Sequence, residues 1–261
     1  MIYTFCAKTN PGLNRENNED SVKTDEATGL AVLADGMGGY NAGEVASGMA
    51  TEFIVSELAR WLSQAGPAAG PKDIHRALEI CVDNANLAIF NAARANAQYA
   101  GMGTTLVMGV FQGDTLLVGH IGDSRCYRQR NGELQQITKD HSLLQEQIDA
   151  GLLTPEQAAT SLNKNLVTRA LGVEDSVMLE IHEHKLEPGD LYLMCSDGLS
   201  DMVRDAEIGK ILETQTSLEK RAESLIDAAN AHGGRDNITV LLVSVEAAPE
   251  KRGLISRLLG K

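Results

Sequence analysis

The chain has 261 residues, of which 43% are hydrophobic and 23% charged, and its formal net charge is -13. This length and composition are typical of a globular protein that can bury a sizeable core. The acidic balance, with no Lys/Arg-rich face, disfavours nucleic acid as a partner. The sequence has no apolar run of about 18 residues and no signal-peptide pattern, so we expect no membrane span and a cytoplasmic location.

The cysteines lie far apart, at Cys6, Cys81, Cys126 and Cys195. No paired spacing links them, which argues against a zinc site or a disulfide framework. We therefore expect reduced and mostly buried thiols.

The chain begins with a predicted strand at 2–8, followed by a polar loop at 9–20. This loop carries Arg15, Glu19 and Asp20. Arginine suits bidentate binding of phosphate, and adjacent acidic residues can hold a metal ion or its waters. A solvated loop with local ion pairs is the alternative.

The most informative stretch is an apolar run at 30–34 that ends in Asp35. The run predicts a buried strand, which would place Asp35 at the rim of a sheet. Gly36, Gly38 and Gly39 allow a tight turn and leave the main chain accessible. A carboxylate beside an open backbone carbonyl suits a divalent cation, although an ordinary Asp-Gly turn would have the same sequence.

The next 100 residues separate into helices and then hairpins. Apolar spacing predicts helices at 41–64 and from 71 to about 97, packed together on one face of a sheet. Short connections without helices then indicate antiparallel strands. These predicted strands are 104–111, 115–121, 125–129 and 133–137.

Further carboxylates follow in the second half of the chain. Asp123 lies in a Gly-Asp turn between two predicted strands, where a routine turn is the alternative. Residues 140–173 are predicted to lie outside the sheets and to contain a helix at 142–150. A strand is predicted at 177–185.

An apolar strand that begins at Leu191 leads to a second Asp-Gly pair at Asp197. Because two apolar strands end in the same pair, ordinary turns explain Asp35 and Asp197 less well than a shared site does. Helices are predicted at 205–212 and 217–231, and Asp236 leads into the last strand.

The acidic residues at the strand ends would form a metal centre if the fold brings those ends of the sheets together. Such a cluster would repel itself, and divalent cations would offset the repulsion. Oxygen ligands favour magnesium or manganese over zinc. Two ions roughly 3.5–4 Å apart can activate a shared water for in-line attack on phosphate, with Arg15 stabilising the developing charge. The candidate ligands are Glu19, Asp20, Asp35, Asp197 and Asp236.

Six ordered motifs, spread over nearly the whole chain, resemble those of the metal-dependent protein phosphatase family, type 2C. The resemblance implies an α+β fold, a four-layer αββα sandwich of two antiparallel sheets flanked by helix pairs. It implies one catalytic domain at 1–246, with a flap beside the site at about 142–173. A basic amphipathic tail remains at 247–261, which is either a helix that binds a partner or a membrane surface or a frayed end. The motifs occupy 15–21, 34–39, 101–105, 122–125, 196–201 and 234–239.

The implied activity is that of a bacterial-type serine/threonine protein phosphatase in signal transduction. It would hydrolyse phosphoserine and phosphothreonine on proteins by in-line attack of a metal-bridged hydroxide, without a phosphoenzyme intermediate. The implied cofactors are two Mn²⁺ or Mg²⁺ ions, with a weaker third. The implied partners are phosphorylated proteins, namely targets of a serine/threonine kinase and the kinase itself, and the enzyme is expected to be a monomer.

The resemblance also implies residue roles. Asp35 would bridge two metal ions, and the Gly36 carbonyl would ligate one of them. Asp197 and Asp236 would bind the other ion.

The same resemblance extends to the surrounding side chains. Glu19 and Asp20 would hold metal directly or through water, and Asp123 would help to hold the third ion. Arg15 would bind the substrate phosphate. Asn237 would support the site.

One position departs from many family members. Met37 stands where they carry a histidine that could protonate the leaving group, so we expect a metal-bound water to do this instead. The alternative function is a pseudophosphatase that binds metal or a phosphoprotein without hydrolysis. Retention of every expected carboxylate argues against it.

Overall fold

Two antiparallel sheets form the centre of the computed structural model, which describes residues 1–39, 42–154, 157 and 166–248. The tail from residue 249 onward, and residues 155–156 and 158–165 of the flap, lie outside the described residues. The strands in chain order are β1 (Ile2–Asn10), β2 (Asp20–Asp25), β3 (Leu30–Met37), β4 (Gly103–Thr104), β5 (Leu106–Gln112), β6 (Thr115–Ile121), β7 (Arg125–Arg130), β8 (Glu133–Gln136), β9 (Glu180–Lys185), β10 (Leu191–Cys195) and β11 (Ile238–Glu246).

The five-stranded sheet has the order β1-β11-β10-β7-β8, and the other has the order β2-β3-β5-β6-β9, with β4 paired to β3. Serine side chains cap two of the helices. Ser217 and Ser142 accept hydrogen bonds from backbone N–H groups of the first turns that follow them. The α-helices with both ends in the described residues are α1 (Ala42–Ala65), α2 (Pro71–Ala95), α3 (Leu143–Asp149), α4 (Asp197–Ser200), α5 (Asp205–Leu212) and α6 (Leu218–Ala231).

Three apolar clusters hold the layers together. Between the sheets, Phe111 packs edge-on against Phe5 and Tyr192, with ring centroids 5.8 and 5.6 Å away. The outer face of the six-stranded sheet is covered by α1 and α2, and that of the five-stranded sheet by α4, α5 and α6. This arrangement confirms the predicted αββα sandwich.

Most predicted elements are present, although β3 continues through Asp35 to Met37 and β9 begins only at Glu180. Three further differences concern whole elements. Strand β2 was not predicted, because it lies at a sheet edge and only its first residue is buried. The single strand predicted at 104–111 is divided into β4 and β5. The strand from Leu191 ends at Cys195, so that Asp197 begins a short helix instead of ending a strand.

The thiols agree with the sequence-based expectation, since all four cysteines are free and buried. Among the described helices, none has both the length and the apolar character needed to cross a bilayer.

Candidate metal centre

Two of the predicted metal-binding acids face each other across a strand pair. Asp20 at the start of β2 is the direct partner of Asp35 in β3. Like charges in such opposed positions destabilise a sheet unless something neutralises them. One oxygen of Asp20, Oδ2, accepts a hydrogen bond of 2.8 Å from Ser196 Oγ, whereas Oδ1 is buried and has no hydrogen-bond partner. A buried carboxylate oxygen without a partner fits a bound cation.

Two threonines hold the backbone of Asp35 in place. Its carbonyl oxygen accepts hydrogen bonds of 2.8 Å from the Thr104 hydroxyl and from the Thr105 N–H. Its own N–H donates to Thr105 Oγ1 at 3.0 Å. The motif at 101–105 therefore orients Asp35 through main-chain contacts and contributes no acid of its own.

The backbone at Gly36 leaves no room for a side chain. A Cβ there would lie 2.1 Å from the Gly43 carbonyl oxygen and 2.6 Å from that of Glu19. The Gly36 N–H donates to the Glu19 carbonyl at 3.0 Å, and Ser47 Oγ donates to the same carbonyl at 2.6 Å. Glycine at this position thus lets the first loop pack directly against the strand that carries Asp35.

Asp197 and Asp236 enter the site from the other sheet. Asp197 begins α4 two residues after β10, and Asp236 lies two residues before β11. The Asn237 N–H donates to Asp236 Oδ1 at 2.9 Å. Arg15 Nη2 donates to Asp236 Oδ2 at 2.7 Å, so the predicted phosphate-binding arginine is already paired with a site acid.

Asn237 fastens the first loop to the site. Its side-chain amide donates to the carbonyl oxygens of Pro11 and Asn17 at 3.0 and 2.9 Å. Its Oδ1 accepts a hydrogen bond of 2.7 Å from the Glu19 N–H. With this buried side chain removed, three backbone groups of the loop would lose their partners.

The pKa values indicate that the acids form one cluster. Burial, followed by the charges of Asp20 and Asp197, raises the pKa of Asp35 well above its ordinary value. Burial, followed by Asp123, Asp201 and Asp236, does the same to the pKa of Asp197. Burial raises the pKa of Asp20 to about 6. Carboxylates that repel one another at an oxygen-rich site match the ligand preference of magnesium and manganese.

Glu19 and Asp123 also have raised pKa values. Burial raises the pKa of Glu19, and Asp236 adds to the rise while Arg15 opposes it. Burial and the charge of Asp140 raise the pKa of Asp123 to about 6.

Asp201 was not among the predicted site residues. Its charge raises the pKa values of both Asp123 and Asp197, so it lies near both acids. The motif at 196–201 ends at this residue, which is the signal that could have found it.

Without metal, the protein is expected to become less stable as the pH rises from about 4 to about 7. Because folding raises the pKa of Asp20, the folded state favours the protonated acid. That stabilisation is fully present below the ordinary value of 3.8 and is lost as the pH passes about 6, a change of up to about 3 kcal/mol. Thermal unfolding of chelator-treated protein between about pH 4 and pH 7 measures it. The stability of the Asp20→Asn variant should depend less on pH than that of the parent. Parallel pH profiles of the two proteins would contradict the assignment of this effect to Asp20.

The four-layer sandwich and its carboxylate cluster together define the class of metal-dependent protein phosphatases. The family model for protein phosphatase 2C matches residues 13–241. The chain therefore belongs to the protein phosphatase 2C family, which confirms the family and the enzyme class expected from its motifs.

Curated and solved relatives agree with this assignment. Serine/threonine phosphatase stp of Listeria innocua is 36% identical over 239 residues, which are 90% of this chain and 93% of that protein. The crystal structure of the Mycobacterium tuberculosis serine/threonine phosphatase PstP/Ppp is 39% identical, with a TM-score of 0.86 over 95% of this chain and 100% of that one. A structure of the PstP catalytic domain in complex with 2 manganese ions is also 39% identical, with a TM-score of 0.82 over 94% and 99% of the two chains.

Proposed function

We propose that the chain hydrolyses phosphoserine and phosphothreonine on proteins by direct attack of water at a binuclear manganese or magnesium centre. The observation that carries this proposal is the opposed pair Asp20 and Asp35, with one buried Asp20 oxygen lacking a partner. Such a pair is costly to fold unless cations neutralise it. The relative solved with manganese supports the choice of ion.

The chain offers a ligand set for two ions and a weaker third. Asp35 would bridge two ions, with the Gly36 carbonyl as a further ligand of one and Asp197 and Asp236 as ligands of the other. Two divalent cations held there would lower the pKa of a shared water and supply the attacking hydroxide.

The remaining site residues complete and support this set. Glu19 and Asp20 would hold metal directly or through water, and Asp123 would serve the third ion. Asn237 keeps the first loop, and with it Glu19, in position through its three hydrogen bonds.

The thiol and the hydroxyl that precede Asp197 in the chain are both poorly suited to act as a covalent nucleophile. Cys195 is the nearest cysteine in sequence to Asp197, but burial raises the pKa of its thiol to about 12. A thiol nucleophile needs a lowered pKa. Ser196 already donates its hydroxyl proton to Asp20 and accepts from the Thr239 N–H. These contacts support direct hydrolysis without a phosphoenzyme.

Protonation of the leaving group falls to water in this proposal. Met37 follows Gly36 in β3, and its thioether has no proton to donate. A water molecule in the site would therefore protonate the departing serine or threonine oxygen.

A rapid-quench experiment tests the mechanism. A ³²P-labelled phosphothreonine peptide is mixed with excess manganese-loaded protein, and the acid-quenched protein is examined at each time. Direct attack predicts labelled inorganic phosphate and no label on the protein at any time. Label that appears on the protein and then decays would contradict it.

Arg15 is expected to hold the substrate phosphate while it remains paired with Asp236. A guanidinium has five N–H donors, so one bond to Asp236 leaves others that can reach a phosphate oxygen. Arg15→Ala should reduce kcat/KM by roughly ten- to a hundredfold, mainly through KM, and Arg15→Lys by less. Steady-state kinetics with a phosphothreonine peptide measure this. Arg128→Ala, on a partly exposed arginine of β7, is the control, and an equal loss there would contradict the assignment.

We also propose the physiological setting. The substrates would be cytoplasmic targets of a serine/threonine kinase, including the kinase itself, and the enzyme would act as a monomer. The names of the relatives support the substrate class.

A further inference from the structure

His141 makes two hydrogen bonds to the residue that precedes Asp123. Its backbone N–H donates to the Gly122 carbonyl at 2.9 Å. The Gly122 N–H in turn donates to Nδ1 of the His141 ring at 3.2 Å. Both polar backbone groups of Gly122 are thus held by one residue from a different part of the chain.

Neighbouring side chains fix the orientation of the His141 ring. Because Nδ1 accepts a hydrogen bond, the ring proton lies on Nε2, which is 3.1 Å from Glu180 Oε2. Burial alone would raise the pKa of Glu180, but hydrogen bonds from His182 and His141 lower it to about 2 and keep it an anionic acceptor. The ring also stacks on His120, with centroids 4.6 Å apart and an angle of 17° between the planes. His120 is itself held by a hydrogen bond of 2.7 Å from Nε2 to the Lys139 carbonyl.

The surroundings of His141 favour its neutral form. The residue is 6% exposed, and burial lowers the pKa of its ring. The hydrogen bond to Glu180 opposes this effect, but the Arg169 guanidinium, with Nη1 at 3.4 Å from Nε2, adds to it, and the pKa of the ring stays below its ordinary value. A neutral ring keeps the Nδ1 lone pair available for the Gly122 N–H.

Two observations argue against a metal site at this cluster. The candidate ligand atoms of His120, His141 and Glu180 lie within 4.8 Å of one another. However, the two rings are nearly parallel and stacked, so their in-plane lone pairs do not converge on one point. Moreover, one nitrogen of each ring already has a backbone partner. The cluster is better suited to holding a turn than to holding an ion.

We propose that His141 is a positioning residue, which holds the Gly122–Asp123 turn so that the Asp123 carboxylate faces Asp197 and can serve the third metal ion. Glu180 and His120 act through it by holding its ring. This inference rests on the proposed function, because it assumes that Asp123 binds metal. Residues that hold a metal ligand in its orientation without contacting the metal are important for the site, and their substitution typically lowers metal affinity or activity ten- to a hundredfold.

The same residue joins the flap to this turn. The Thr168 N–H donates to the His141 carbonyl at 2.8 Å, and Ser142 pairs with Val167 in an isolated bridge. The two ends of the flap thus meet at His141, directly beside the Asp123 turn.

Manganese binding tests the inference independently of turnover. Titrations followed by the electron paramagnetic resonance signal of free Mn²⁺ compare the parent with His141→Leu and His141→Asn. We expect His141→Leu to weaken the weakest manganese site about tenfold or more. His141→Asn should recover part of this loss, because its Oδ1 can accept the Gly122 N–H. The control is His75→Asn, a half-exposed histidine on α2, which should bind as the parent does.

The Asp123→Asn background separates positioning from general damage. If His141 acts through Asp123, adding His141→Leu to Asp123→Asn should change neither manganese binding nor kcat any further. An equal loss in both backgrounds, or an unchanged isotherm in His141→Leu alone, would overturn the proposal. If His141→Leu does not fold, Glu180→Leu against Glu180→Gln replaces it, and equal manganese affinity of those two variants also overturns it. A parent that binds manganese but hydrolyses nothing would defeat the proposed function, while the isotherms would still decide the role of His141.

Discussion

Replacing Asp35 by Asn is expected to lower kcat by at least about a thousandfold, equivalent to ~4 kcal/mol of transition-state stabilisation. The substitution keeps the shape of the side chain but removes the charge that would bridge two cations. It should also raise the melting temperature of the metal-free protein, because burial and neighbouring acids oppose ionisation of Asp35. Activity assays with manganese and thermal unfolding with chelator measure the two effects.

The prediction is specific because Asp35→Asn should lower kcat while raising the melting temperature of the metal-free protein. Asp83→Asn, an exposed acid on α2, is the matched control and should change neither quantity appreciably. A variant at Asp35 that keeps its activity, or that loses activity only because the metal-free protein unfolds more easily, would contradict the assigned role.

Replacing Gly198 by Ala is expected to destabilise the protein by about 3 kcal/mol or more, since overpacking against a rigid neighbour is at the costly end of such changes. A Cβ at Gly198 would lie 1.9 Å from the carbonyl oxygen of Asn237. Relief of that contact requires α4 to move away from β11, and both Asp197 and Asp236 would move with these elements. Chemical denaturation of the chelated protein measures the stability change, and a manganese titration measures the loss of the site.

The control for this prediction is a glycine without such a neighbour. No atom lies within 4 Å of the Cβ that alanine would add at Gly48 in α1. Gly48→Ala should be neutral or stabilising by up to about 1 kcal/mol, because alanine favours a helix interior. If Gly198→Ala were equally tolerated, the close packing of α4 against β11 would not be essential to the site.

Much of the fold was predictable from local patterns. The apolar run before Asp35, the helical spacing in α1 and α2, and the short turns between β5 and β8 each indicate one structure without reference to the rest of the chain. The acids Asp35 and Asp197 were predictable for the same reason, since each follows a buried apolar run and precedes a glycine.

The pairing of Asp20 with Asp35 was not predictable in this way. Strand β2 lies at a sheet edge and has no buried alternation, so nothing local distinguishes it from a loop. Its register against β3 is set by tertiary packing, and only that register places the two acids opposite each other. The sequence suggested that the acids would meet, but not which one would face which.

The long-range hydrogen bonds that support the site could not be predicted from local sequence patterns either. The hydrogen bond from the Glu19 N–H to Asn237 spans 218 positions, and the bond from the Gly122 N–H to the His141 ring joins a turn to the start of the flap. Such contacts depend on how the sheets stack. The resemblance assigned Asn237 a supporting role without its partners, and it did not indicate His141 at all.

The most direct test of the central claim is phosphate release from a phosphothreonine peptide by the metal-free parent as manganese is added, followed by chelator. The proposed centre predicts negligible release without metal, a rise that saturates with manganese, loss with chelator and recovery when manganese is restored. Equal release with and without metal, or a folded protein that binds manganese and releases no phosphate, would contradict the claim that these acids form a metal-dependent phosphatase centre.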